Sequence, residues 1–266
     1  MSDNLQGIQM EGLSIKGSGQ TLSFLVENQE LKINKRLLFR KVNVLRGEKF
    51  PVSLDLDIES FEAFSVWLHQ NELPVLNATY HEKDGALTYS GYNPERLYKI
   101  ATWLELYRLA NNIMDCIRRV HVSYSVGFTK DEITRIYAQQ IPHYGLTLFA
   151  ALWIHLEDTR PNNYLKVTTK AERDALLENK FIASDVGEHR RPWFPGNQSA
   201  CSFHIHLRHG SCPKNYSIDV GLWVVDKDGE LKELHDWRIQ RLMNPIQTPR
   251  DLSPQLSEAS NDASPD

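Results

Sequence analysis

The sequence predicts an α+β chain: a small sheet with helical hairpins, then a mostly helical extension with a small β-containing segment. Three observations predict it. Short runs of alternating apolar and polar residues, as at 51–57, stand beside runs whose apolar residues recur every three or four positions. Residues 97–120 carry two apolar stripes of helical period that are out of phase with one another. After Thr159 the composition shifts, and one short helical run gives way to a Gly-, Pro- and Arg-rich loop and a β-prone pair.

Residues 1–20 are polar, contain Gly7, Gly12, Gly17 and Gly19, and read as a flexible lead. The run TLSFLV (21–26) is β-prone, Leu31 and Ile33 alternate with polar residues, and 27–30 between them reads as a hairpin turn. From Lys35 the period changes. Leu38, Val42 and Leu45 lie at steps of four and three, which predicts an amphipathic helix of about three turns, stopped by Gly47. Arg36, Arg40, Lys41 and Arg46 form its solvated face. Residues 51–57 (PVSLDLD) alternate cleanly and read as a half-buried strand. Asp57 is placed to cap the following helix, in which Phe61, Phe64 and Leu68 share a face beside Trp67. Asn71 and Pro74 end that helix, and 74–93 reads as a long polar loop.

The stretch 97–120 is the most informative. Leu97, Ala101 and Leu104 set one register, which continued would fall on Arg108, Asn111 and Asp115. The stripe instead restarts at Leu106, Leu109, Ile113, Ile117 and Val120. One straight helix would turn its apolar face out of the core at the jump, so two helices with a break near 103–106 are expected. Asn93-Pro94 starts the first. Asn111 and Asp115 then lie on the polar side of the second, where capping, interhelix or surface hydrogen bonds are expected of them.

Residues 129–157 are helical in pattern. Thr129 and Glu132 form a capping-box pair, Ile133, Ile136 and Tyr137 follow, Pro142 breaks the run, and 146–156 is apolar nearly all round. A short helix is expected at about 169–180. Arg190-Arg191-Pro192-Trp193 either meets a partner or forms a surface loop anchored by Trp193, and the second is the simpler account. Residues 217–225 are β-prone, 226–230 is a hairpin turn, and 231–242 closes the ordered body. Residues 244–266 read as a disordered acidic tail, with Asp251, Glu258, Asp262 and Asp266 against Arg250. Its Thr248-Pro249, Ser253-Pro254 and Ser264-Pro265 match proline-directed phosphorylation sites, a pattern short enough to arise by chance.

Bulk properties restrict the function classes. The chain has 266 residues, 41% hydrophobic and 10% aromatic, which suffices for a substantial core. The net charge is −4, of which the tail carries −3 (four acids, one base), and no Lys/Arg block suggests a nucleic-acid surface. Three cysteines suit a reducing compartment better than a disulfide framework. No signal-peptide pattern and no apolar run of about 18 residues occurs, so an intracellular protein of cytoplasm or nucleus, without a membrane partner, is expected.

The order strand, strand, helix, strand, helix, long loop, helix, helix over residues 21–122 resembles a BTB/POZ domain. Ile33-Asn34-Lys35 with Leu37-Leu38, Val42 and Leu45 is similar to the family's strand-to-helix segment. PVSLDLD followed by Phe61, Phe64, Trp67-Leu68 and Leu73 resembles its next strand and helix. Leu97-Tyr98, Ala101, Leu104, Leu109, Asn111, Ile113, Asp115 and Ile117 resemble its closing helix pair, in the form numerous in filamentous fungi. The family's usual His, Ser and Tyr are here Asn34, Val42 and His69. The resemblance divides the chain into a lead (1–20), a BTB/POZ-like domain (21–122), an extension (123–243) and a tail (244–266). It implies a non-enzymatic adaptor or scaffold with protein partners, a second copy among them. It leaves a cullin contact open without residues to carry it, and no substrate-binding repeat follows. Val42, Leu45, Phe64 and Trp67 are the candidate interaction residues, with burial in the core as the alternative that the pattern favours for Phe64 and Trp67.

One constellation carries ligand chemistry. Cys201, His204, His206 and Cys212 have zinc-binding side chains spaced C-x2-H-x-H-x5-C, so a structural zinc protein is the alternative function. Against it, a strand through 201–207 would aim His204 and His206 to one side and Cys201 to the other. The simpler account has both histidines on the solvent side of a strand that buries Phe203, Ile205 and Leu207. No catalytic residue and no other cofactor is expected. Gly17-Ser18-Gly19 lacks a strand–turn–helix setting, and Asp55/Asp57 and Asp226/Asp228 belong to a strand-and-cap and a turn.

Overall fold

The structure, a computed structural model, describes residues 21–139, 144–159, 168–189, 200–206 and 219–243. The expected lead and tail, Pro142, the Arg190–Trp193 patch, Leu207 and Cys212 lie outside the described residues.

Strands β1 (Thr21–Val26) and β2 (Gln29–Asn34) form an antiparallel hairpin, with Val26 opposite Gln29. The two turn residues, Glu27 and Asn28, both have positive φ (47° and 66°). That is the turn geometry whose twist matches the flanking strands, and Asn tolerates it. Helix α1 (Lys35–Lys41) begins at once, with the Leu37 amide donating to Asn34 Oδ1 at 3.1 Å. It is shorter than the expected three turns, because Val42 swings to an extended backbone. Val42 and Leu45 are nonetheless fully buried, delivered inward by successive turns. Strand β3 is only Val52–Ser53, parallel to β1, giving the order β2-β1-β3. The alternation over 51–57 marked which side chains go inside (Leu54 and Leu56 are buried) and not which residues find a ladder partner. Helix α2 (Ile58–Gln70) is capped by Asp57, which accepts from the Ser60 amide at 2.7 Å, and ends on Asn71 in the left-handed region.

The expected loop at 74–93 is a hairpin. Strands β4 (Leu76–His81) and β5 (Leu87–Ser90) pair antiparallel, with Leu76, Ala78 and Tyr80 buried on one face. The elbow expected within 97–120 is present. Helix α3 (Pro94–Trp103) and helix α4 (Tyr107–Tyr124) are separated by a turn in which Glu105 has φ 57°. Both stripes reach the core: Leu97, Ala101 and Leu104 from the first, and Leu106, Leu109, Ile113, Ile117 and Val120 from the second. Each of the leucine, isoleucine and valine side chains contributes about 1.5–3 kcal/mol by leaving water.

Helix α5 (Lys130–Gln139) opens with the Thr129/Glu132 capping box, with the Thr129 amide donating to Glu132 Oε2 at 2.7 Å. Helix α6 (Gly145–Thr159) is buried along most of its length. Where one helix was expected near 169–180, two occur, α7 (Lys170–Leu177) and α8 (Lys180–His189). A 3-10 turn spans Ala200–Phe203. Strands β6 (Val220–Val225) and β7 (Leu231–Glu233) flank the expected turn, in which Asp226 Oδ1 accepts from the Asp228 and Glu230 amides. Helix α9 (Leu234–Met243) follows.

Strand β6 lies parallel to β4, so the second sheet has the order β5-β4-β6-β7. Tyr124 Oη reaches the carbonyls of Ala78 on β4 (2.8 Å) and Trp223 on β6 (2.7 Å). The expected boundary after residue 122 therefore falls inside α4, and the β4–β6 ladder crosses it. The architecture is mixed α+β, as the sequence predicts. No helix among the described residues is long and apolar enough to cross a membrane.

Candidate interaction site

The buried stripe of α4 leaves Asn111, Asp115 and Arg118 in line on another side of the helix, at steps of four and three. Residues 203–205 lie along that line. The Ile205 amide donates to Asn111 Oδ1 at 2.8 Å, and Asn111 Nδ2 donates to the Ile205 carbonyl at 3.1 Å. One side-chain amide thus satisfies both backbone groups of a residue that has no ladder partner. One turn further, His204 Nε2 lies 2.9 Å from Asp115 Oδ1, and the histidine side chain is only 6% exposed. The Arg118 guanidinium, 3.4 Å from the same carboxylate oxygen, stands 5.6 Å from the centre of the Phe203 ring.

Phe203 is the apolar anchor. It is 1% exposed and meets Phe149 of α6 edge-on, with ring centres 5.2 Å apart. Gly145, the first residue of α6, lies against the Phe203 carbonyl so closely that a Cβ there would overlap it. The segment is therefore held at three points: its backbone by Asn111, its imidazole by Asp115, and its phenyl ring between α4 and α6.

A second polar constellation fastens the rest of the extension. His121 of α4 is 2% exposed. Its Nδ1 donates to the Val126 carbonyl at 2.8 Å, so the neutral ring accepts at Nε2, where the Tyr89 hydroxyl of β5 lies 3.2 Å away. Phe128 is stacked on it at 4.0 Å, with Phe149 and Trp153 around its rim. Burial pushes the imidazole down to about 4, partly offset by its bond to Val126, and pushes the Tyr89 phenol up. Burial likewise pushes the Cys116 thiol up to about 11, so it is inert as a nucleophile at neutral pH.

The other expected site residues lie elsewhere. Val42, Leu45 and Phe64 are fully buried and Trp67 is 3% exposed, so none offers its side chain to a partner in the described chain. They fill the space between α1 and α2, and Lys41 covers Trp67 with its ammonium 4.4 Å from the ring. Of the four zinc-type residues, His204 and His206 approach one another, with ring centres 6.2 Å apart. Cys201 falls in the 3-10 turn, and Cys212 lies outside the described residues. The strand expected through 201–207 is not formed over 201–206: the chain turns, and His204 points into the groove toward Asp115 and not into solvent. A metal would have to reach this ring at Nδ1, because Nε2 faces the carboxylate. Among the described residues no three metal-ligating side chains stand together.

Asn111 and Asp115 make hydrogen bonds from that polar side, but to a non-helical segment some ninety positions away that had no signal in the sequence. Phe203 is buried, as expected, but its seat against Phe149 and Gly145 had no signal either. No family model, no curated protein and no solved structure matches this chain.

Proposed function

We propose that this chain is a non-enzymatic protein–protein interaction adaptor built on a BTB/POZ-like unit that associates with a second copy. The element order carries the proposal. β1, β2, α1, β3 and α2 follow one another in the expected order, with the three strands in the sheet β2-β1-β3, and the α3–α4 elbow falls at the phase break on which the resemblance is densest. The large buried aromatics Phe24, Phe61 and Phe64 hold α2 against that sheet. Light scattering on the full chain tests the dimer. A mass of two chains is expected, and a strict monomer up to high micromolar concentration would overturn it.

A second reading, a structural zinc protein using Cys201, His204, His206 and Cys212, is favoured by one observation. Metal-bound histidines usually give their other ring nitrogen to a carboxylate, and Asp115 holds His204 in that way. Zinc content separates the two readings.

A further inference from the structure

We propose that the groove between α4 and α6 is a peptide-recognition site. Its ligand is a short segment presenting an aromatic residue and a histidine in succession, and residues 203–205, the end of the 3-10 turn and the two residues after it, occupy it in cis. The proposal stands on the groove alone and does not depend on the family likeness.

Four observations point there. Recognition is by main chain: Asn111 grips the N–H and C=O of Ile205, which fixes the backbone whatever side chain it bears at that place. Specificity comes from two adjacent side chains, an imidazole that donates to Asp115 and a phenyl ring seated against Phe149. Residues 204–206 belong to no strand or helix and so contribute nothing to a ladder that their departure would break. The groove is also incompletely filled. An open cleft of about 120 Å³ continues beside Phe203, lined by Arg118, Val122, Phe149 and Trp153, with Val122 57% exposed. A partner peptide with one further apolar residue would bury surface there that the cis segment leaves wet.

Covalent attachment gives the cis segment an effective concentration of about millimolar, so a partner of micromolar affinity competes poorly until that segment is weakened. The test uses a fluorescein-labelled peptide of residues 200–206 and the full chain, read by fluorescence polarisation. Phe203→Ala is expected to bind the peptide at least about tenfold more tightly than wild type, because the cis competitor has lost its anchor. Adding Asn111→Ala should weaken that binding about tenfold, and a peptide with Ala in place of its Phe should not bind. Because Phe203 is deeply buried, His204→Ala serves as a second opened form, with circular dichroism reporting whether each variant is folded. A folded variant that ignores the peptide, or binding indifferent to Asn111→Ala, would overturn the proposal. Collapse of both opened variants would overturn it equally, since a segment whose loss unfolds the chain is core and not ligand. A wild-type dimer that dissociates in Asn111→Ala would replace the partner peptide with the same segment of a second copy.

Discussion

Acidification should loosen this protein through His121. The imidazole is neutral in the fold, with Nδ1 donating to Val126 and Nε2 facing the Tyr89 hydroxyl. Protonation would place a second donor and a charge inside a cage of Phe128, Phe149 and Trp153. The folded-state pKa lies below the unfolded value of 6.5, at about 4, with burial the main cause. The unfolded state therefore binds the proton more readily, and the contribution of this group is complete above pH 6.5. It declines as pH falls through the interval and is exhausted below about 4. At about 1.4 kcal/mol per pH unit, the interval corresponds to a stability loss on the order of 3 kcal/mol. Carboxylates also contribute to the acid response: Glu95 is pushed up by burial, and Asp55 is held low by its bond to Lys99. Comparing wild type with His121→Gln removes their contribution. Urea unfolding of both proteins at pH 7, 6, 5 and 4 should give a wild-type advantage that shrinks steadily toward acid. A difference that stays flat from pH 7 to 4, or an NMR titration of His121 near 6.5, would refute the reasoning.

Three further outcomes follow from contacts described above. Gly145→Ala should cost about 1–3 kcal/mol in thermal or urea unfolding, because the new Cβ meets the Phe203 backbone, whereas Gly221→Ala should cost less, because its Cβ meets side chains alone, the Asn77 amide and the Trp223 indole nitrogen. Equal costs would show that residues 203–205 do not press on α6. Tyr124→Phe removes the hydroxyl shared by β4 and β6 and should lower stability by about 1 kcal/mol, with the earliest gain of amide exchange along β6. Metal analysis of the purified chain is expected to find no stoichiometric zinc under the adaptor proposal; one zinc per chain, lost in Cys201→Ser, would favour the zinc reading.

What the sequence made legible was local. Caps at Asn93 and Asp57, the Thr129/Glu132 box and the phase break before α4 all depend on neighbours within a few residues, and each is present. Burial was legible in part: Leu54 and Leu56 go inside although the strand drawn through them is too long, whereas Val42 and Leu45, candidates for interaction, are buried as well. Strand identity at 76–81 was not. Ala78 and Tyr80 alternate with Asn77 and Thr79, but the apolar contrast is weak and the partner that makes it a sheet is β6, far along the chain. The interaction site failed for the same reason. Asn111 and Asp115 could be placed on a polar face, but nothing in the order of residues says that His204 and Ile205 will lie there.

The parallel ladder of β4 with β6 also sets a timetable for biosynthesis. β5 and β4 leave the ribosome early, yet an isolated two-stranded hairpin is marginal in water. Its second edge stays open until Val220–Val225 has been made, after most of the chain. Through that interval Leu76, Ala78 and Tyr80 form a strand edge that a neighbouring nascent chain can template on. A fragment ending near residue 122 would keep that edge open permanently. Expression of the first half alone should therefore yield aggregates, even though its own small sheet is complete.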